Sequence, residues 1–111
     1  MSLVTAYKGR GITRDITIQN VDGDTVTPGD SDVVRVSIGR EGETPELTVT
    51  STAATANGSS ITKGAANRLR LDAADLDFDP GVYTMFVEMM DAADEDEWKN
   101  VDRQVFCLIE T

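Results

Sequence analysis

The chain has no histidine and a single cysteine, Cys107. Without histidine there is no Ser–His–Asp triad and no Cys–His nucleophile pair. Histidine-dependent zinc sites are excluded too, and one cysteine can neither build a thiolate site nor close an internal disulfide. Aromatic residues number six, too few to wall a sugar-binding cleft around the paired carboxylates of a glycosidase. The glycines around Arg10 and Arg40 precede no helical pattern, so no phosphate-cradling loop is expected. No run approaches the ~18 apolar residues of a membrane span. A basic start followed by an apolar run is missing as well, so no signal peptide is expected. The expectation is a protein that is not an enzyme, carries no cofactor and stays in the cytoplasm where it is made, unless a particle carries it out.

Basic residues are the other shortage. Ten Lys and Arg face twenty Asp and Glu, for a formal net charge of −10. Such a surface repels phosphate backbones, and the counterion-release term that drives nucleic-acid binding has the wrong sign. Thirteen of the acids are Asp, and only Lys8, Lys63 and Lys99 are lysine. That balance suits simple solubility, and it also suits a salty environment.

What is present reads as one small all-β domain over residues 1–111. At 111 residues with 40% hydrophobic content, the chain can bury one core and leaves nothing over for a second. The dominant period is two. Ile12, Ile16 and Ile18 share a face, as do Val34, Val36 and Ile38, then Leu47 and Val49, then Leu69 and Leu71. Tyr83, Met85, Val87 and Met89 form the longest alternation, and an apolar strand from about residue 100 to 110 closes the chain. Turn-forming residues separate these runs at Asp22–Asp24, Pro28–Asp30, Gly39–Pro45, Asn57–Ser60 and Lys63–Gly64. A short strand is expected at Ser60–Thr62, and one helical turn over Asp72–Leu76 with Asp72 as its N-cap. Cys107 lies in the closing apolar strand, where cysteine behaves as a small hydrophobe.

The most specific local pattern is Asp79-Pro80-Gly81-Val82-Tyr83-Thr84-Met85. It resembles the Asp-x-Gly-x-Tyr-x-Cys signature of immunoglobulin-like domains, in which the tyrosine hydroxyl bonds back to the main chain at a corner. The resemblance implies an immunoglobulin-like antiparallel β-sandwich of about seven to eight strands, with Asp79, Gly81 and Tyr83 defining the corner. Met85 stands where the second cysteine would be; the first cysteine and the core tryptophan have no counterpart, so the sandwich would lack a disulfide. An arginine near the fourth strand of such domains often pairs with the corner aspartate. Arg68 and Arg70 are the candidates, the alternative being that both simply face solvent. Taken whole, the chain also resembles small immunoglobulin-like modules of tailed-phage virions, such as baseplate and tail-fibre parts. The features are the opening strand Gly11–Gln19, the Pro-Gly-x-Tyr entry at residue 79, the acidic turn Ala92–Glu97 and the last apolar strand. That resemblance implies a virion structural or assembly module, acting through itself or other virion subunits and assembled in the host cytoplasm.

Two further features carry functional expectations. If Tyr83, Met85 and Val87 face the core, Val82, Phe86 and Met90 face outward on the same strand. The last strand is apolar on both sides, and Phe106 and Leu108 are assigned here to the outer face. Val82, Phe86, Met90, Phe106 and Leu108 then form a candidate interface. Its cover would be a neighbouring subunit in an oligomer or the chain's own Leu3, Val4 and Tyr7; the segment from Leu3 to Tyr7 could instead add to a partner's sheet. The acidic run at Asp91, Asp94 and Asp96 has the oxygen ligands calcium takes, without EF-hand spacing. It supports an alternative, a carbohydrate- or cell-surface-binding module assisted by calcium.

Overall fold

Alternation of period two becomes strand along nearly the whole chain. The computed structural model describes residues 3–19, 22–90 and 98–110, and among these there are ten strands and no helix. They are β1 (Leu3–Tyr7), β2 (Ile12–Ile16), β3 (Ile18–Gln19), β4 (Thr25–Val26), β5 (Val33–Gly39), β6 (Leu47–Thr50), β7 (Ser60–Thr62), β8 (Asn67–Leu71), β9 (Gly81–Met90) and β10 (Trp98–Ile109). One sheet has the order β1-β10-β9-β5-β6, a second β2-β8-β7, and β3 with β4 forms a two-stranded ribbon. Every pairing is antiparallel except that of β1 with β10, which is parallel. The expectation of a wholly antiparallel fold is corrected by that one pair. A parallel neighbour needs a long connection, and the chain between β1 and β10 supplies it.

One face of each sheet feeds a single buried cluster. The five-stranded sheet supplies Val4, Ala6, Val34, Val36, Ile38, Val49, Tyr83, Met85 and Val87, and Ile16, Ile61, Leu69 and Leu71 come from the three-stranded one. The alternation read from the sequence therefore holds on β5, β6, β8 and β9. Each of the valine, leucine, isoleucine and methionine side chains contributes roughly 1.5–3 kcal/mol through removal from water. Gly39 ends β5 where a side chain has no room: a Cβ there would lie 2.9 Å from Pro45 Cα.

The loops are tied down by side chains. Over residues 72–76 the chain makes two successive turns, Asp75 N–H to Asp72 O and Leu76 N–H to Ala73 O. The Asp72 carboxylate accepts from Ala74 N–H at 3.0 Å, as expected of a cap, and Leu76 is driven fully into the core. Asp75 accepts hydrogen bonds from Thr55 Oγ1 (2.5 Å), Asn57 Nδ2 (2.9 Å) and Ser59 Oγ. Ser59 is wholly buried, and its hydroxyl also accepts from Asp72 N–H at 2.8 Å. On the opposite flank, the Lys63 ammonium donates to the carbonyls of Gly29, Asp30 and Asp32 at 2.8, 3.1 and 2.8 Å. Folding thus pins two polar loops with one carboxylate and one ammonium.

The corner before β9 is built as its sequence suggested. Tyr83 is 3% exposed, and its hydroxyl donates to Asp79 O at 2.5 Å. Phe78 meets the ring edge-on, with centroids 5.1 Å apart. Arg40 covers the ring with its guanidinium 4.5 Å from the centroid, a place left open because residue 81 is glycine: a Cβ there would sit 3.2 Å from Arg40 Nη2. Arg68 and Arg70 do not reach Asp79. Arg68 pairs with Asp15 (3.3 Å) across the β2–β8 ladder, and Arg70 lies 3.7 Å from Asp72 and bonds Gly58 O. Tyr83→Phe is expected to cost about 1 kcal/mol, since Asp79 O loses the donor of a part-buried hydrogen bond. A lower urea midpoint with an unchanged slope would register it.

Candidate functional site

Cross-strand partners in a sheet point to the same face, so the register fixes which side chains reach the outer surface. Phe106 lies opposite Tyr83 and Leu108 opposite Gly81. Tyr83 faces the core, and Phe106 follows it inward. Phe106 is 0% exposed and Leu108 2%. Their assignment to the outer face is therefore reversed. Val105, Cys107 and Ile109 take that face instead, beside Val82, Phe86 and Met90, which point outward as expected. The reversal has a simple origin. Both parities of β10 are apolar, and each begins with polar residues: Gln104 precedes the inward set and Arg103 the outward set. Alternation alone has no sign on such a strand. The sign comes from the pairing with β9 and from β1, whose Val4 and Ala6 fill the space beside Phe106 and Leu108.

β1 likewise corrects the expectation that Leu3, Val4 and Tyr7 fold over this face. It lies in the plane of the sheet as its edge, in register Leu3↔Val105, Thr5↔Cys107 and Tyr7↔Ile109. The outer surface at this end is then a quilt of Leu3, Val105, Cys107, Val82, Tyr7 and Ile109. Leu3 is 56% exposed, Tyr7 45%, Val82 64% and Ile109 41%. Together they leave on the order of 400 Å² open, within the range at which an apolar patch is often functional. Among these positions and the intervening Thr5 and Thr84 there is no charge. Leu3, Tyr7 and Ile109 were missed as surface residues. Their signal was present only as apolar side chains at odd positions of a strand whose partner was unknown.

Farther along β9 and β10 the same face changes character. Arg103 places its guanidinium 5.1 Å from the Phe86 centroid and 3.6 Å from Glu41. Arg35 stacks 3.9 Å over Trp98 and bonds Glu88 at 3.0 Å. Phe86 and Trp98 are thereby half-buried under arginines of the chain itself, and Met90 sits opposite Trp98 and Val33. Trp, Phe and Arg are enriched at protein interfaces, and here one tryptophan, one phenylalanine and two arginines are already ordered.

Two shallow clefts lie elsewhere. One of about 360 Å³ runs along Gly11–Thr13 and Arg70–Ala73. The other, about 390 Å³, lies between Arg14, Asp15, Gln19, Asp102 and Gln104. The carboxylates in the second are engaged, Asp15 by Arg68 and Asp102 by Gln104 Nε2 at 3.0 Å. Among the described residues no group of three or more acidic or cysteine side chains is placed to hold a metal ion. Asp91, Asp94 and Asp96 lie outside the described residues. No described helix is long and apolar enough to cross a membrane. Neither a protein-family model nor a curated protein matches this chain.

Proposed function

We propose that this chain is a non-catalytic immunoglobulin-like β-sandwich module that works by protein–protein contact through the outer face of its five-stranded sheet. The fold name is supported by strand order. The sequence β1-β10-β9-β5-β6 against β2-β8-β7 follows the arrangement of an immunoglobulin-type sandwich with one added strand beside the third, and the tyrosine corner stands at the entry to β9. The single observation that carries the function is the uncharged quilt at the β1–β10–β9 end, exposed on a chain of net charge −10. A structural part of a phage or prophage virion is the setting we propose, supported by the sequence resemblance given above.

Val82→Lys with Ile109→Lys tests the reading. Both side chains are exposed, so the melting temperature should stay within a few degrees of the wild type. Binding of the products of adjoining genes should be lost, read by size-exclusion chromatography with light scattering of the mixtures, and so should any self-association made face to face. A wild-type chain that neither self-associates nor binds any of those products would overturn the proposal.

A further inference from the structure

Resting on the reading of the β1–β10–β9 end of the sheet as a contact surface, we infer that its partner is a second copy of the chain, joined edge to edge through β1 in a two-fold, antiparallel pair. β1 ends the five-stranded sheet, and no other described strand pairs with its far side. Lys8 N–H bonds Ile109 O at 2.8 Å. In a parallel ladder that phase directs the main-chain groups of Val4 and Ala6 to β10, and those of Leu3, Thr5 and Tyr7 to the open edge. Tyr7 O takes one local bond there, from Arg10 N–H at 3.0 Å. The remaining edge donors and acceptors are a template for a further strand.

The other edges of the two main sheets carry protection that β1 lacks. β2 places Arg14 and Asp15 on its edge, β7 has three residues, and β6 has four, entered through Pro45 and Glu46. Short edges, charges and proline are the usual blocks to strand addition. β1 reads Leu-Val-Thr-Ala-Tyr, with no charge, proline or glycine.

Its order is also self-complementary. A two-fold axis at Thr5 sets Thr5 against the partner's Thr5, Leu3 against the partner's Tyr7, and Val4 against the partner's Ala6. Leu3, Thr5 and Tyr7 all carry the edge-facing main-chain groups, so each meets a residue able to exchange bonds with it. On the outer face, Leu3 and the partner's Tyr7 cover one another, while Val4 and Ala6 extend the core side. The result is one continuous sheet across both copies. Two chains of net charge −10 repel, and a neutral edge is where they can approach most closely. Salt, by screening that repulsion, should tighten the pair. A five-residue edge covers less than the ~800 Å² per partner of a standard interface, so the dimer should form in the range of about 10 μM to 1 mM.

Sedimentation velocity of the full chain across that range, at low and high salt, tests the pairing. The wild type should shift from monomer to dimer, at lower concentration when salt is high. Thr5→Pro removes the central edge donor and leaves the ladder to β10 intact. Thr5→Lys keeps the donor but sets two ammonium groups face to face across the axis. Each should weaken association at least ~10-fold while the melting temperature of the dilute protein holds; should the proline variant unfold, the lysine variant decides. Thr5→Cys should give a disulfide-linked dimer, provided Cys107→Ala removes the cysteine beside it on β10. A wild type monomeric throughout overturns the pairing, as does a dimer indifferent to both Thr5 variants. If that dimer is lost in Val82→Lys, the contact is face to face and the module reading survives. Binding to an adjoining gene product without self-association has the same consequence.

Discussion

Phe106→Ala should destabilise the fold by about 3–5 kcal/mol, the cost of emptying a fully packed aromatic site. That is a large share of the ~5–15 kcal/mol available to a domain of this size. The ring is wholly buried, pairs across the ladder with Tyr83, and lies beside Val4 on β1. Val82→Ala, on the next strand but facing out, should change stability by less than ~0.5 kcal/mol. The contrast, read as urea midpoints at pH 7, tests the direction in which β10 faces. Equal, small effects from both would mean that Phe106 belongs to the surface after all, and the core would have to be redrawn around Val105 and Cys107.

The second large effect is expected at Asp75. Burial pushes its carboxyl pKa up, but hydrogen bonds from Ser59, Thr55 and Asn57 outweigh that and hold it below the ordinary carboxylate value. Asp75→Ala removes the acceptor of all three and strands the buried Ser59 hydroxyl, so a loss of about 2–3 kcal/mol is expected at neutral pH. The pH dependence has a definite sign. A carboxyl with a lowered folded-state pKa stabilises fully above its unfolded value near ~3.9 and loses that stabilisation as pH falls through the folded value. The gap between wild type and Asp75→Asn should therefore be constant from pH 7 to about 5 and close below about 4. Amide exchange offers a second readout: both the 55–59 loop and the 72–76 turns should open together, because one carboxylate ties them. A gap that grows in acid would show that the carboxyl is not the group that binds these loops.

Much of the fold was legible because local chemistry and tertiary demand agreed. Val34, Val36 and Ile38 alternate with Arg35 and Ser37, and the polar members name the face turned away from the core, although Ser37 is itself buried there. On β8, Arg68 and Arg70 do the same for Leu69 and Leu71. The corner was legible from Gly81 and Tyr83, and the cap from Asp72, since each bond spans only a few residues. The arginine partners were not. Whether Arg70 turns to Asp72 or Asp79 depends on how β8 leaves its sheet, and the sequence contains both acids within reach along the chain. The four-residue ribbon of β3 and β4 escaped notice because two-residue strands carry too little pattern to separate from turns.

The sequence by itself determined the class of the protein: strands of period two, turns between them, an acidic surface, and no histidine or cysteine pair for catalysis or a staple. Only the tertiary structure decided which side of β10 is oily on the inside and which on the outside. It also placed β1 beside that strand as an open edge. The physical reason is that alternation fixes a strand's two faces relative to each other and never which of them the core will claim; that choice belongs to the neighbouring strands.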